Sequence, residues 1–341
     1  MGVTRRQFLT TISACVAAAA CARHAAAPRT AGSFQVLHRV PGGAAAATIL
    51  VLMPDTPQTK AVWTGLSDET AGEFNLVAVR VQDRHSAATI AEAIRQTAPS
   101  ALVLMNNPTV SSYRRYLERS DALRGLPTVV VMTSFIEPSR LQSMGAVGIS
   151  YEVPLITVVT NLRRIVASPV ERVGVVCRPA LQPFLAGQRE LARREQIQVV
   201  PVVTSADPNP SELKHALRFL KPRADALWIL NDDRLLSPQL IADGWLPGLN
   251  ERPWRPTIVG AASLVSAGQS LGTFAVLPDH TALGIQTANV IFDIADKGFL
   301  LAAGGATELP VSTTTTIDLA QVRERFVLRE GAMAQVDRVV E

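Results

Sequence analysis

From Thr48 onward, short runs of apolar residues alternate with longer stretches in which apolar residues recur every three or four positions. Uninterrupted apolar runs are typical of strands covered on both faces, and the longer spacing is typical of helices with one buried face. The predicted strands are 48–53, 75–81, 101–105, 128–132, 146–149, 172–177, 198–203, 226–230, 257–259 and 272–276. The predicted helices are 60–73, 88–97, 112–119, 154–167, 183–196, 211–220 and 285–297.

This alternation occurs in two series, one ending near residue 150 and the other beginning at Arg172. Strand–helix alternation predicts parallel sheets joined by right-handed crossovers. We therefore predict an α/β protein of two Rossmann-like lobes, each built on its own parallel sheet. Ligands of open parallel sheets bind beyond the carboxyl ends of the strands, so two facing lobes would share one cleft.

The residues that follow the predicted strands are mostly neutral hydrogen-bonding side chains, with a few carboxylates. Asn, Ser and Thr can donate and accept, helix N-termini offer N–H groups to a carboxylate, and Asp232 or Asp233 could meet an ammonium group. The candidate ligand contacts are Asp55, Thr56, Asn106, Asn107, Thr133, Ser134, Tyr151, Arg178, Asn231, Asp232, Asp233, Ser263 and Asp279. For each polar residue, capping of the following helix is the alternative. Tyr151 and Trp63 could stack on a ligand ring or pack in the core.

The first residues of the chain form a candidate export signal, 1–21, in which Arg5 and Arg6 precede an apolar run that ends at Cys21. A paired arginine ahead of such a run resembles a bacterial twin-arginine signal. The run is too short to span the ~30 Å of hydrocarbon as a helix, although an uncleaved anchor is the alternative. Ala18-Ala19-Ala20-Cys21 also resembles a lipobox without the usual Leu at −3, which makes Cys21 a candidate for lipidation.

Cleavage at Ala25-Ala26-Ala27 is the alternative to lipidation. The small, Pro- and Gly-bearing residues 22–46 predict a tether. Beyond this region Cys177 is the only cysteine, so no internal disulfide is predicted. We interpret Cys177 as a buried small apolar residue.

Charge and motifs argue against several classes of function. The formal charge of +4 includes Arg5 and Arg6 of the export segment, and aromatic residues make up 5% of the chain. Neither a basic footprint nor stacking platforms for nucleic acid are therefore indicated. No G-x-G-x-x-G, Walker A or G-x-S-x-G motif occurs, and the five histidines show no zinc-ligand spacing. We predict no cofactor, no metal and no catalysis.

An ordered set of segments resembles a known family. Arg172-Val173-Gly174-Val175-Val176 begins the second series, Pro278-Asp279 stands five residues ahead of Gly284, and Ala146-Val147-Gly148-Ile149-Ser150 ends the first series. These segments are similar to those of the tryptophan/tyrosine-type substrate-binding proteins of ABC transporters. The resemblance covers about 47–320 and is strongest after Gly148. The loop 54–60 and the segment Asn231-Asp232-Asp233 depart from the family pattern.

The resemblance implies a type I periplasmic-binding-protein fold in which the chain crosses three times between lobes. We expect the crossings near 150–152, 260–262 and 277–279, with lobe I comprising 47–150 and 262–277, and lobe II comprising 151–261 and 278–341. Hinge motion at the crossings would close the lobes on a small ligand.

The implied function is that of a monomeric solute-binding protein of the periplasm or cell envelope, lipid-anchored if Cys21 is modified. The twin-arginine export machinery would export it, and it would deliver an amino acid or peptide-like molecule to an ABC permease. A ligand-sensing subunit of a membrane signalling protein and a twin-arginine-exported enzyme are the alternatives.

Overall fold

The computed structural model describes residues 34–82, 87–119, 126–265, 271–300 and 305–340. The predicted export signal 1–21, with Cys21, and residues 22–33 of the predicted tether lie outside these ranges. Within them, the strands form two separate seven-stranded sheets. The α/β fold class with two lobes is therefore confirmed.

The first sheet has the strand order β1-β3-β2-β4-β5-β6-β12 and is parallel except for β1, which runs antiparallel to β3. Its strands are β1 (Gln35–Val40), β2 (Thr48–Met53), β3 (Asn75–Arg80), β4 (Ala101–Met105), β5 (Thr128–Thr133), β6 (Ala146–Ser150) and β12 (Thr307–Glu308). Its helices are α1 (Pro57–Glu69), α2 (Ala87–Thr97), α3 (Asn107–Leu117), α4 (Pro138–Met144) and α10 (His280–Asp296).

The second sheet has the order β14-β13-β11-β10-β9-β7-β8, with β13 antiparallel to β11 and the other pairs parallel. Its strands are β7 (Arg172–Cys177), β8 (Gln198–Val203), β9 (Ala226–Ile229), β10 (Thr257–Val259), β11 (Phe274–Pro278), β13 (Thr313–Asp318) and β14 (Arg338–Val340). Its helices are α5 (Leu155–Ile165), α6 (Gln182–Arg193), α7 (Pro210–Leu220), α8 (Pro238–Leu240), α9 (Leu246–Asn250) and α11 (Leu319–Arg325), and a π-helical turn, Ile241–Trp245, links α8 to α9.

Helices cover both faces of each sheet, which explains the uninterrupted apolar runs. In β2, Ile49, Val51 and Met53 pack with α1 and α10, whereas Leu50 and Leu52 pack on the opposite face with α2 and α3. Every residue of β2 after Thr48 is therefore buried. A strand buried on both faces has no polar positions to alternate with its apolar ones.

Helices α1 and α10 approach each other at two glycines. A Cβ atom on Gly65 would lie 2.1 Å from the Thr281 carbonyl oxygen, and one on Gly284 would lie 2.2 Å from the Val62 carbonyl oxygen. The two helix backbones are thus in direct contact. This contact fixes α10 to the first lobe, immediately after the chain leaves the second sheet at β11.

The chain passes between the sheets after β6, after β11 and after β12. The predicted crossing near 260–262 is wrong, because β10 and β11 are parallel neighbours in the second sheet. Segment 262–277 therefore belongs with the second lobe, and α10 and β12, which were assigned to the second lobe, belong with the first. The third crossing lies between β12 and β13. The predicted tether, 22–46, is wrong in part, because Gln35–Val40 forms β1.

Candidate functional site

A small cavity lies between the two lobes where strands of both sheets end. The first lobe contributes the loop after β5 and the crossing after β6, and the second lobe contributes the ends of β9, β10 and β11. Its lining includes Phe135, Tyr151, Glu152, Trp228, Asn231 and Gly260. The cavity volume is about 20 Å³, which is room for one or two water molecules.

Glu152 is the charged residue of this cavity. Its side chain is held in the crossing between β6 and α5 with only 8% of the residue exposed. Oε2 accepts a hydrogen bond of 2.9 Å from the Phe135 N–H, whereas Oε1 is buried and has no hydrogen-bond partner among the residues that the structure describes. Burial raises the pKa of Glu152 from 4.5 to about 7, although the hydrogen bond from the Phe135 N–H opposes the shift.

Phe135 approaches Glu152 from a strained loop. Its φ is 53°, and that of Met132 is 57°, in a stretch where the pairing of β5 with β6 is irregular. Left-handed backbone is costly for a bulky residue, by about 1–3 kcal/mol, and is retained where its surroundings enforce it. Here the Phe135 ring meets the Phe184 ring of α6 edge-to-face, with centroids 5.0 Å apart. The strained loop thereby places a first-lobe ring against the second lobe.

Aromatic rings continue this contact into the second lobe. The Phe184 ring lies 6.1 Å from that of Trp228, and Trp228 is buried in β9. Both distances are within the range of favourable aromatic pairs. Phe135 and Trp228 line the cavity together with Glu152, and Phe184 packs between their rings; we call these three residues the aromatic wall (Phe135, Phe184 and Trp228).

Tyr151 joins two of the crossings. Its ring stacks on His280 at the start of α10, with centroids 5.9 Å apart, and its hydroxyl lies 3.0 Å from His280 Nε2. Burial raises the pKa of Tyr151 to about 12 and lowers the pKa of His280. Both side chains are therefore neutral near pH 7, and their hydrogen bond links the crossing after β6 to the crossing after β11.

Asn231 and Gly260 meet at the opposite side of the cavity. Asn231 Nδ2 donates a hydrogen bond of 3.0 Å to the Gly260 carbonyl oxygen. A Cβ atom on residue 260 would lie only 2.3 Å from Asn231 Nδ2, so any side chain there would displace the amide. Glycine at 260 thus keeps the end of β10 open to the Asn231 side chain.

Arg178 and Asp232, two of the predicted ligand contacts, bind each other. Arg178 Nε donates to Asp232 Oδ2 at 2.7 Å, and Nη2 donates to Oδ1 at 2.9 Å. Asp232 is 3% exposed and also accepts a hydrogen bond from the Arg234 N–H. This paired geometry neutralises both charges, so Asp232 is not a free partner for a ligand ammonium group.

Several other predicted contacts hold local structure. Thr56, Asn106 and Asp279 cap α1, α3 and α10, respectively, by accepting hydrogen bonds from backbone N–H groups of the first helical turn. Asp55 forms an ion pair of 3.0 Å with Lys60. The structure therefore uses these four side chains at helix starts in the first lobe, as the capping alternative anticipates for three of them.

The remaining predicted residues divide between a second cavity and the surface. Asn107, Thr133 and Ser134 line a first-lobe cavity of about 60 Å³, where Asn107 exchanges hydrogen bonds of 2.7 and 3.1 Å with the Ser134 backbone. Asp233 and Ser263 are exposed. Of the thirteen residues predicted from strand ends, Tyr151 and Asn231 line the inter-lobe cavity.

Sequence reasoning missed three residues of the inter-lobe site. Glu152 directly follows Tyr151 at a predicted crossing, so its position was a signal that could have identified it. Trp228 lies inside a strand and Phe135 in a loop, and neither has a local pattern that separates it from a packing residue. Their proximity depends on the contact between lobes.

Three further properties of the described residues bear on function. No group of three or more His, Cys, Asp or Glu side chains among them could hold a metal ion. In the same ranges, every helix is too short or too polar to cross a lipid bilayer. Cys177 is buried, and burial raises the pKa of its thiol.

No protein-family model matches the sequence, and no curated protein matches it. Solved structures do resemble it. An ABC domain in complex with L-Trp from Streptococcus pneumoniae has a TM-score of 0.53 at 15% identity and covers 86% of this chain and 100% of its own. A conserved domain protein from Vibrio cholerae has a TM-score of 0.54 at 17% identity, covering 86% and 99%.

A substrate-binding protein with adhesive properties from Clostridium difficile, solved in a ligand-free, open form, has a TM-score of 0.61 at 13% identity, covering 86% of this chain and 99% of its own. Similarity at such low identity shows the fold alone. The resemblance to the tryptophan/tyrosine-type family therefore stays a prediction. The chain has the two-lobed α/β fold of type I periplasmic binding proteins.

Proposed function

We propose that this protein is an exported solute-binding component of an ABC transporter, which closes on a small ligand and performs no chemistry on it. The observation that carries the proposal is the convergence of strand ends from both sheets on one cavity with a buried carboxylate. Sites of this kind occur at the carboxyl edges of parallel sheets and between domains. An amino acid or a peptide-like molecule is the ligand class that the fold and the resemblance favour.

Binding requires the lobes to move. A cavity of about 20 Å³ is far smaller than an amino acid, whereas ligand sites typically enclose ~300–1,000 Å³. The three crossings are short segments that could absorb a hinge rotation. The structurally similar Clostridium difficile protein was solved in an open form, which supports an open state for this fold.

The closed form would be the one that an ABC permease recognises. A ligand shifts the population toward it only through contacts that the open form lacks. Export by the twin-arginine machinery, lipidation of Cys21 and residence in the periplasm or cell envelope belong to the same proposal. They are supported by the sequence of residues 1–21.

A thermal-shift screen against amino acids, amines, short peptides, sugars and purines tests this function. At about 100 times its Kd, a ligand adds about 2.7 kcal/mol to the free energy of unfolding. For a chain of this size we expect the melting temperature to rise by roughly 5 °C. The proposal fails if no compound in a broad screen raises the melting temperature while the protein turns over one of them.

A further inference from the structure

The unpartnered oxygen of Glu152 is the starting point. Buried polar atoms nearly always have a hydrogen-bond partner, and an exception in a well-packed structure calls for an explanation. Glu152 Oε1 is such an exception, because within the described part of the chain it is buried without a partner, while Oε2 is bound by the Phe135 N–H. The free oxygen belongs to a residue that lines the inter-lobe cavity.

The rest of the cavity provides no positive charge. Among its lining residues Glu152 is the only one of Asp, Glu, Lys, Arg or His, and most of the others are Val, Ile or Leu. Arg178 lies at the end of β7, the neighbour of β9 in the second sheet. Its guanidinium group is bound to Asp232 by two hydrogen bonds. The field in the cavity is therefore that of one carboxylate in apolar surroundings.

This arrangement discriminates between classes of ligand. A carboxylate or phosphate group would be repelled by Glu152 and would find no cation there. A sugar would need several polar partners, yet seven of the thirteen lining residues are Val, Ile or Leu. An ammonium group suits both the Glu152 carboxylate and the aromatic rings of the site, because it can donate to Oε1 and can lie against aromatic faces.

The size of the cavity also favours an ammonium group. The present volume of about 20 Å³ accommodates a group of one or two heavy atoms. The ammonium end of a ligand would fill it, and the ligand body would extend along the aromatic wall into the cleft that opens between the lobes.

We propose that Glu152 is the ligand's counter-charge, that its Oε1 accepts a hydrogen bond from a primary ammonium group, and that the ligand is a small amine with an apolar or aromatic body. This inference rests on the proposed solute-binding function and deepens it. The ligand's ammonium group, and not a carboxylate, is the group buried deepest in the closed protein.

Isothermal titration calorimetry of the full chain at pH 8 tests the proposal with two probes of matched size. 2-Phenylethylamine carries the ring and the ammonium group, and 3-phenylpropionate carries the ring and a carboxylate. Each probe is titrated into the wild type, into Glu152→Gln and into Glu190→Gln. Glu190 is a matched control because it lies on α6 with its side chain 69% exposed.

We expect 2-phenylethylamine to bind the wild type and Glu190→Gln with equal affinity, and to bind Glu152→Gln about 100-fold more weakly or worse. 3-Phenylpropionate should bind none of them. The circular-dichroism melting curve of Glu152→Gln shows whether it is folded, and Glu152→Asp, which keeps the charge on a shorter side chain, should bind the amine with intermediate affinity.

Two outcomes would overturn the inference and leave the solute-binding function standing. One is equal binding of the amine by the wild type and Glu152→Gln, which would mean that Glu152 is not the counter-charge of the ligand. The other is binding of 3-phenylpropionate or a sugar in preference to every amine of the thermal-shift panel. Absence of binding by any compound of that panel would overturn both the inference and the proposed function.

Discussion

Replacing Gly284 by alanine is expected to lower the free energy of unfolding by about 3 kcal/mol, because overpacking a close helix contact costs this much when the backbone cannot yield. The new Cβ atom would lie 2.2 Å from the Val62 carbonyl oxygen and 2.6 Å from the Leu66 backbone nitrogen. Neither atom is the flexible end of a side chain. Helices α1 and α10 would have to separate, which would open the buried contacts of both helices in the first lobe. Urea denaturation measures the change.

Gly187→Ala is the matched control. Gly187 also lies within a helix, α6, but a Cβ atom there has no neighbour within 4 Å. Alanine should therefore stabilise the protein by up to about 1 kcal/mol, since it is the better helix former and restricts the unfolded chain. If Gly284→Ala were as stable as Gly187→Ala, the two helices would not be in backbone contact.

The stability of the wild type is expected to fall as the pH rises from about 4.5 to about 7, on account of Glu152. The pKa of this carboxyl is raised by burial from 4.5 to about 7 in the folded protein. The folded state therefore binds the proton more tightly than the unfolded state, and this stabilisation is full below pH 4.5 and lost as the pH passes 7. The loss is on the order of 3 kcal/mol.

Comparison with Glu152→Gln isolates this contribution from other titrating groups. Glutamine keeps the shape of the protonated carboxyl group and has no charge to bury, so the variant should equal the wild type near pH 4.5 and be more stable at pH 8. The measurement is the free energy of unfolding in urea at both pH values. A difference between variant and wild type that does not change with pH would show that Glu152 is not buried as a lone carboxyl group.

The central strands of both sheets could be predicted from the sequence because they are buried on both faces. Predicted strands 48–53, 101–105, 172–177 and 257–259 agree with β2, β4, β7 and β10. Four strands at or near the sheet edges, β1, β12, β13 and β14, could not be found in this way, although the edge strand β8 agrees with the predicted strand 198–203. β1 is mostly partly exposed, β12 has two residues, and β13 begins with four threonines in succession. Such segments become strands because a neighbouring strand offers hydrogen bonds.

The assignment of segments to the two lobes could not be predicted from the sequence, for a related reason. The sequence predicts segment 262–277 in the first lobe, but the pairing of β11 with β10 and β13 places it in the second sheet. Helix α10 has the same amphipathic character whichever lobe it covers. Its place is decided by the glycine contact with α1, which joins residues far apart in the chain.

The candidate site, too, could be predicted from the sequence only in part. The rule that ligands bind at strand ends identified Asn231, and the capacity to stack on a ring identified Tyr151; both line the inter-lobe cavity. It could not foresee that Arg178 and Asp232 would neutralise each other, because this depends on the geometry of a pair. Nor could it select Glu152, whose distinguishing property is a buried oxygen without a partner.

The distance between the lobes, measured by pulsed electron paramagnetic resonance, tests the central claim most directly. Spin labels would be attached at Lys60→Cys and Asp207→Cys, since both side chains are exposed, one in each lobe. Cys15 and Cys21 would be replaced by serine, whereas Cys177 is buried. We predict a longer-distance population in the free protein that disappears when a compound that raises the melting temperature is added at saturation. An identical distance distribution with and without that compound would contradict closure of two lobes on a ligand.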